Sequence, residues 1–149
     1  PLVFNMHFRG TMDYWDPLLL NPIAACRTLW LVDNVGVGAS SGSIPDCFAV
    51  WADYMVQIIR ALGFESVDVF GFSMGGYTAY LIALQAPQLA RKLIVTGEVK
   101  AAFLHTFFSA KDERHSRAGE IWWRRMTAAR KSEARYLTGT MLICSSVPF

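Results

Sequence analysis

The sequence predicts an α/β fold, a parallel sheet with helices on both faces. Three observations carry that expectation. Short, β-prone apolar runs alternate with stretches of helical periodicity as far as about residue 97. The runs are continuously apolar, the pattern of strands buried on both sides rather than on one. A glycine-flanked serine turn, Gly71-Phe72-Ser73-Met74-Gly75, leads directly out of one run and into a helix.

The elements follow in order. Residues 2–7 (LVFNMH) form a first strand, and a turn-rich segment comes after it. Residues 17–26 (PLLLNPIAAC) read as a short helix interrupted by Pro22. Residues 28–34 form a second strand that runs into the glycine- and serine-rich VGVGASSGSIPD. Asp46 is placed to cap a helix over residues 47–62, whose Phe48, Trp51, Met55, Ile58, Ile59 and Leu62 recur at i, i+3, i+4 spacing. Gly63 ends that helix. SVDVFGF is a third strand, the helix that opens at Met74 ends near Pro87, and KLIVTG is a fourth strand.

Beyond Lys100 the character changes. The first hundred residues carry six Lys/Arg against eight Asp/Glu, whereas residues 101–149 carry eight against four. Residues 101–108 and 111–136 read as helices, with Ile121, Trp122, Met126 and Ala129 on one side and basic residues on the other. The tail TGTMLICSSVPF fits neither pattern and is read as a new strand, a short lid piece or a non-native chain end. The expected division is therefore a core over residues 1–99 and a lid-like helical part with an atypical tail over 100–149.

Composition narrows the function classes. With 53% hydrophobic and 17% charged residues, the chain has the make-up of a packed domain, not a disordered one. Cys26, Cys47 and Cys144 show no CxxC spacing and join no metal pattern with His7, His105 or His115, so no metal and no cofactor are expected. The three cysteines are read as reduced, mostly buried thiols. No apolar run is long enough to span a bilayer, and no signal-peptide pattern is visible, which favours a cytoplasmic location. The basic run RRMTAARKSEAR is diluted by Glu120 and Glu133 and reads as a solvated helix face, so neither nucleic acid nor membrane is expected as a partner. Gly36, Gly38 and Ser41 imitate a dinucleotide-binding loop, but the third glycine is replaced and Pro45 follows, so that reading is set aside.

The serine turn has a steric logic. To project a hydroxyl from the top of a sheet, the chain must bend sharply at the serine. The flanking positions then press on the adjacent strand and helix, where a Cβ would clash, hence Gly71 and Gly75. Ser73 would stand at a helix N-terminus, with the Met74 N–H placed to receive developing negative charge. At the end of the first strand, HFRGTMDYW offers a second backbone donor, the N–H of Phe8 or that of Arg9. His7 is read as a structural histidine bonded to loop backbone. Asp33 closes the second strand, ahead of Gly36, Gly38 and Ser40.

On these residues the sequence resembles the α/β-hydrolase superfamily over roughly residues 1–97. It is similar to esterase, lactonase and haloperoxidase-like members that carry an H-G-type oxyanion loop, a D-x-x-G-x-G-x-S turn and a G-x-S-x-G nucleophile elbow. Phe8 departs from the family, which most often has glycine there. The resemblance implies Ser73 as nucleophile, Met74 with Phe8 or Arg9 as oxyanion donors, and Asp33 and Gly36 as loop-shaping residues. It also implies lid helices over residues 100–135.

A serine nucleophile needs a base, and the base an orienting carboxylate. After Ser73 the chain offers Glu98, Asp112, Glu113, Glu120 and Glu133 as acids and His105 and His115 as bases, none of them behind a clear late strand. The chain also opens at Pro1, directly on a strand. We therefore expect a hydrolase-type sheet truncated at both ends, with an incomplete triad and impaired turnover. The expected substrate is a small apolar ester, lactone or related carbonyl compound. The alternative is a non-catalytic pseudo-hydrolase that holds an apolar ligand with Phe103, Phe107, Phe108, Trp122 and Trp123. Oligomeric state is not legible.

Overall fold

A computed structural model describes residues 1–97 and the backbone of residues 134–137 and 141–144. The elements are β1 (Leu2–Asn5), a 3-10 turn (Met12–Tyr14), α1 (Pro17–Ala24), β2 (Leu29–Leu31), α2 (Phe48–Ala61), β3 (Val67–Phe72), α3 (Met74–Gln85), β4 (Ala90–Thr96), β5 (Ala134–Leu137) and β6 (Met141–Cys144). The sheet runs β2-β1-β3-β4-β6-β5. The first four strands are parallel, as the continuous apolar runs predict, and β6 and β5 extend the sheet in antiparallel fashion.

Each side of the sheet packs its own apolar cluster. Val3, Val67 and Val69 point towards α2 and α3, where they meet Ala52, Met55, Val56, Ile59, Ala79 and Ile82. Phe4 and Phe70 point the other way, towards Trp15 and α1. Phe4 stacks on Phe70 with centroids 4.6 Å apart and meets the edge of Trp15 at 5.0 Å. Alternation along β1 and β3 thus sends Phe4 and Phe70, with Leu2, to one face and the valines to the other. Helix α3 is buried on nearly every side from Gly75 to Ala83, wedged between the sheet and α2.

The structure corrects several expectations. Pro22 lies inside α1 without interrupting it. It forfeits only one intrahelical bond, to the carbonyl of Leu18, a residue open to water at 84% exposure. Asp46 does not cap α2. The N-cap is Cys47, in extended conformation with no side-chain bond, and the Trp51 indole N–H donates to the Pro45 carbonyl at 3.1 Å to shape the approach. Cys26 and Cys47 are exposed rather than buried, because both lie where the chain leaves or joins a helix at the surface. Ala134–Leu137 is a strand, although the helical periodicity was extended through Tyr136. The tail residues Met141–Cys144 form the strand that covers the outer side of β4, so the sheet does not end at β4. The expected lid helices over residues 100–133 lie outside the described residues.

At the N-terminal ends of the strands a buried charge ties three segments together. Asp68 on β3 is 1% exposed and accepts from Arg91 on β4 at 2.8 and 3.0 Å and from Arg27 ahead of β2. Burial pushes the Asp68 carboxyl up, but the hydrogen bonds and charges of Arg91 and Arg27 outweigh it and hold it below the ordinary carboxylate range. A carboxyl depressed in the folded state stabilises the fold above its unfolded pKa of about 3.9 and loses that contribution as pH falls through the folded value. Wild type should therefore exceed Asp68→Asn in stability at pH 7, and the gap should close below about pH 4. Denaturant melts of both proteins between pH 3 and pH 7 measure it.

Candidate active site

The turn from β3 into α3 passes through a left-handed, non-glycine residue. Ser73 is the N-cap of α3 with φ 53° and ψ −116°, and it is exposed at the C-terminal edge of the sheet. A non-glycine residue with positive φ stores roughly 1–3 kcal/mol and persists only where packing holds it. The packing is visible. A Cβ on Gly71 would fall 2.6 Å from Gly76 Cα, and one on Gly75 would fall 2.6 Å from the Asn5 carbonyl carbon and 2.7 Å from Met6 O. The helix therefore rests directly on the backbone of β1 and β3. The Ser73 N–H donates to Thr96 O at 2.9 Å, fastening the turn to β4, and Gly76 N–H turns back to Ser73 O at 2.9 Å.

A further glycine, which the sequence reading missed, completes the turn. Gly97 ends β4 with φ +92°, and a Cβ there would lie 3.0 Å from Ser73 N. Its only signal in the sequence is its place directly after the apolar run KLIVT.

Residues 6–10 leave β1 beside this bend. Gly10 N–H donates to His7 O at 3.0 Å, closing a tight turn with Phe8 and Arg9 at its centre. The left-handed residue of that turn is Arg9, at φ 59°. Phe8 is not left-handed, which explains why a side chain is tolerated where glycine was expected. The Phe8 ring is 54% exposed, with the Arg9 guanidinium over it at 5.6 Å. Among the described residues nothing accepts the N–H of Phe8 or of Arg9. The Met74 N–H opens α3 and has no carbonyl within the helix to bond. His7 does what was read for it: Nδ1 pairs with the Phe8 carbonyl oxygen at 2.9 Å, and the ring meets Tyr14 and Phe72 edge-on at 6.0 and 5.8 Å. The Phe72 contact brings this loop against the residue that precedes Ser73.

Asp33 joins the two loops. It is buried, and its carboxylate accepts from Met12 N–H at 2.7 Å and from Ala39 N–H at 3.1 Å. Its own carbonyl accepts from Ser40 Oγ at 2.7 Å. Gly38 presses on this carboxylate, since a Cβ there would fall 2.7 Å from Asp33 Cγ, and Gly36 passes so close to Ser43 and Ile44 that it too must lack a side chain. Asp33 thus ties the segment after β1 to the segment after β2.

The candidate acids Glu98, Asp112, Glu113, Glu120 and Glu133, the candidate bases His105 and His115, and the proposed ligand aromatics from Phe103 to Trp123 lie outside the described residues. Among the described residues no cluster of His, Cys, Asp or Glu could hold a metal ion, and no helix is long and apolar enough to cross a membrane.

Because the helix rests on bare backbone, Gly75→Ala should cost about 3 kcal/mol or more and displace Ser73, a penalty at the upper end for overpacking. Denaturant unfolding gives the magnitude, and a Gly75→Ala protein of near wild-type stability would contradict the contact.

The same architecture occurs in proteins of known class. An alpha/beta hydrolase fold protein from Chitinophaga pinensis superposes with a TM-score of 0.66 and 29% identity, over 99% of this chain and 59% of that one. The structure of a mutant of the N-acyl homoserine lactonase AidH, complexed with N-hexanoyl homoserine, matches with a TM-score of 0.58 and 25% identity over 64% of this chain and 36% of its own. In sequence, a protein of Serratia proteamaculans (strain 568) that bears the name of a carbamate hydrolase, RutD, is 30% identical over 98 residues, 64% of this chain and 36% of its own length. The chain thus spans between about a third and three fifths of the length of these three proteins. The profile of the alpha/beta hydrolase fold family matches residues 1–140, and the chain belongs to that family.

Proposed function

We propose that Ser73 is the nucleophile of a serine hydrolase acting on a small ester, lactone or related carbonyl substrate. The observation that carries the reading is the strained, exposed backbone of Ser73 at the head of α3. A hydroxyl there stands at the head of α3, next to the Met74 N–H, which has no acceptor within the helix. The resemblance to a lactonase and to a protein named for carbamate hydrolysis supports a carbonyl carbon bonded to a heteroatom as the point of attack.

In this reading Ser73 Oγ attacks the carbonyl carbon and its proton passes to a histidine base. The oxygen of the tetrahedral intermediate accepts from the Met74 N–H and from the N–H of Phe8 or Arg9. The leaving alcohol or amine departs with a proton from the base, and water then releases the acid by the reverse path. Asp33 acts at one remove by holding the loop that carries Phe8 and Arg9. Residues 100–133 serve as a cap over the site, the substrate is apolar, and the location is cytoplasmic. Each of these belongs to the proposal.

A fluorophosphonate probe tests it. The full-length protein should be labelled at Ser73, and Ser73→Ala should abolish the label. The 149-residue chain alone should label slowly, because neither histidine after Ser73, His105 or His115, follows a clear late strand in the sequence. Labelling of the full-length protein at another residue would remove Ser73 from the role.

A further inference from the structure

Asn5 is the polar residue of β1, and it is completely buried. By strand alternation its side chain shares the sheet face of Val3, the face packed against α2 and α3, while Phe4 faces Trp15. Its register partner on β3 is Gly71, which contributes no side chain. Over it lies the first turn of α3, with Gly75 in contact with the Asn5 carbonyl group. The carboxamide therefore occupies the sheet face where Gly71, Gly75 and Gly76 leave side chains out. Among the described residues no group donates to its Oδ1 or accepts from its Nδ2.

A buried amide with neither atom paired carries a desolvation penalty that a well-packed valine would not. The first turn of α3, which lies over the Asn5 backbone, carries N–H groups with no carbonyl of its own helix to bond. Gly76 N–H is taken by Ser73 O, and Met74 N–H faces the proposed oxyanion, which leaves the N–H of Gly75. An internal water needs two to four polar partners, and Oδ1, Nδ2 and the Gly75 N–H supply three.

We propose that Asn5 is a positioning residue for Ser73. Its carboxamide and the first turn of α3 share one internal water, which sets the height of the serine turn above β1. This rests on the reading of Ser73 as nucleophile, but its consequence for the water does not.

Asn5→Val and Asn5→Thr test it in the full-length protein, since the two side chains have nearly one shape, suit a strand, and differ in a hydroxyl. Fluorophosphonate labelling of Ser73 is separated into its maximal rate and its half-saturating concentration. In Asn5→Val the maximal rate should fall about tenfold at unchanged half-saturation and unchanged or higher Tm, while Asn5→Thr stays within about threefold of wild type. In wild type, the Asn5 side-chain amide protons should show magnetisation transfer from a long-lived water. Wild-type labelling by Asn5→Val, an equal loss in both variants, or no bound water at Asn5 would each overturn the proposal. If wild type is not labelled at Ser73 at all, the hydrolase reading falls separately. The Asn5 proposal is then decided by the backbone amide shifts of Ser73 to Gly76: movement in Asn5→Val but not in Asn5→Thr upholds it, and any other pattern overturns it.

Discussion

The conformation of one residue organises the described structure. Ser73 is held at φ 53° because backbone passes under it, behind it and beside it at contact distance. Gly75 rests on the last residues of β1, Gly71 lies against the first turn of α3, and Gly97 lets β4 end beside Ser73 N. A side chain at any of these positions would push the bend open. The strain is local, whereas the packing that opposes its relaxation is spread over the whole buried length of α3, from Gly75 to Ala83. Cooperative burial of that helix between the sheet and α2 keeps a costly backbone in place.

The two ends of β3 divide the work. At its beginning Asp68, paired with Arg27 and Arg91, ties the approach to β2, the centre of the sheet and β4 into one charged cluster. At its end the chain turns into Ser73. Between them run Val69 and Phe70, fully buried on opposite faces. Rigidity at the lower edge and between the faces leaves the upper edge free to carry loops shaped for chemistry. There Asp33 makes one structure of two loops by accepting from Met12 on one side and Ala39 on the other. The loop that holds Phe8 and Arg9 is thereby tied, at Met12, to a carboxylate on a different strand's loop.

The parallel core was legible because its signals are local and strong. Continuous apolar runs gave the strands, the spacing of Trp51, Met55 and Ile59 gave the inward face of α2, and Gly71 and Gly75 announced the bend. What failed depended on context. Pro22 is a breaker by propensity, yet an exposed helix loses little by containing it. Asp46 is a good cap by type, but the chain becomes helical one residue later. Strand β5 reads as helix and β6 as one of three alternatives because such short runs gain their strand character from pairing, β6 with β4 and β5 with β6, although Gly139 between them is a hairpin signal. Gly97 and Asn5 could not be ranked from sequence at all, since their importance comes from what packs on them. The left-handed position in the loop after β1 also fell to Arg9 rather than to the residue that the family pattern marks as glycine.

The central claim is that packing imposes an unfavourable backbone on Ser73, and the stability of Ser73→Gly tests it most directly. Glycine adopts positive φ without the steric cost, at the expense of greater freedom in the unfolded chain. Ser73 makes no side-chain capping bond that the change would remove. Equilibrium denaturation should therefore find Ser73→Gly more stable than wild type by about 1 kcal/mol. A loss of stability, as expected at an ordinary relaxed helix start, would contradict the account.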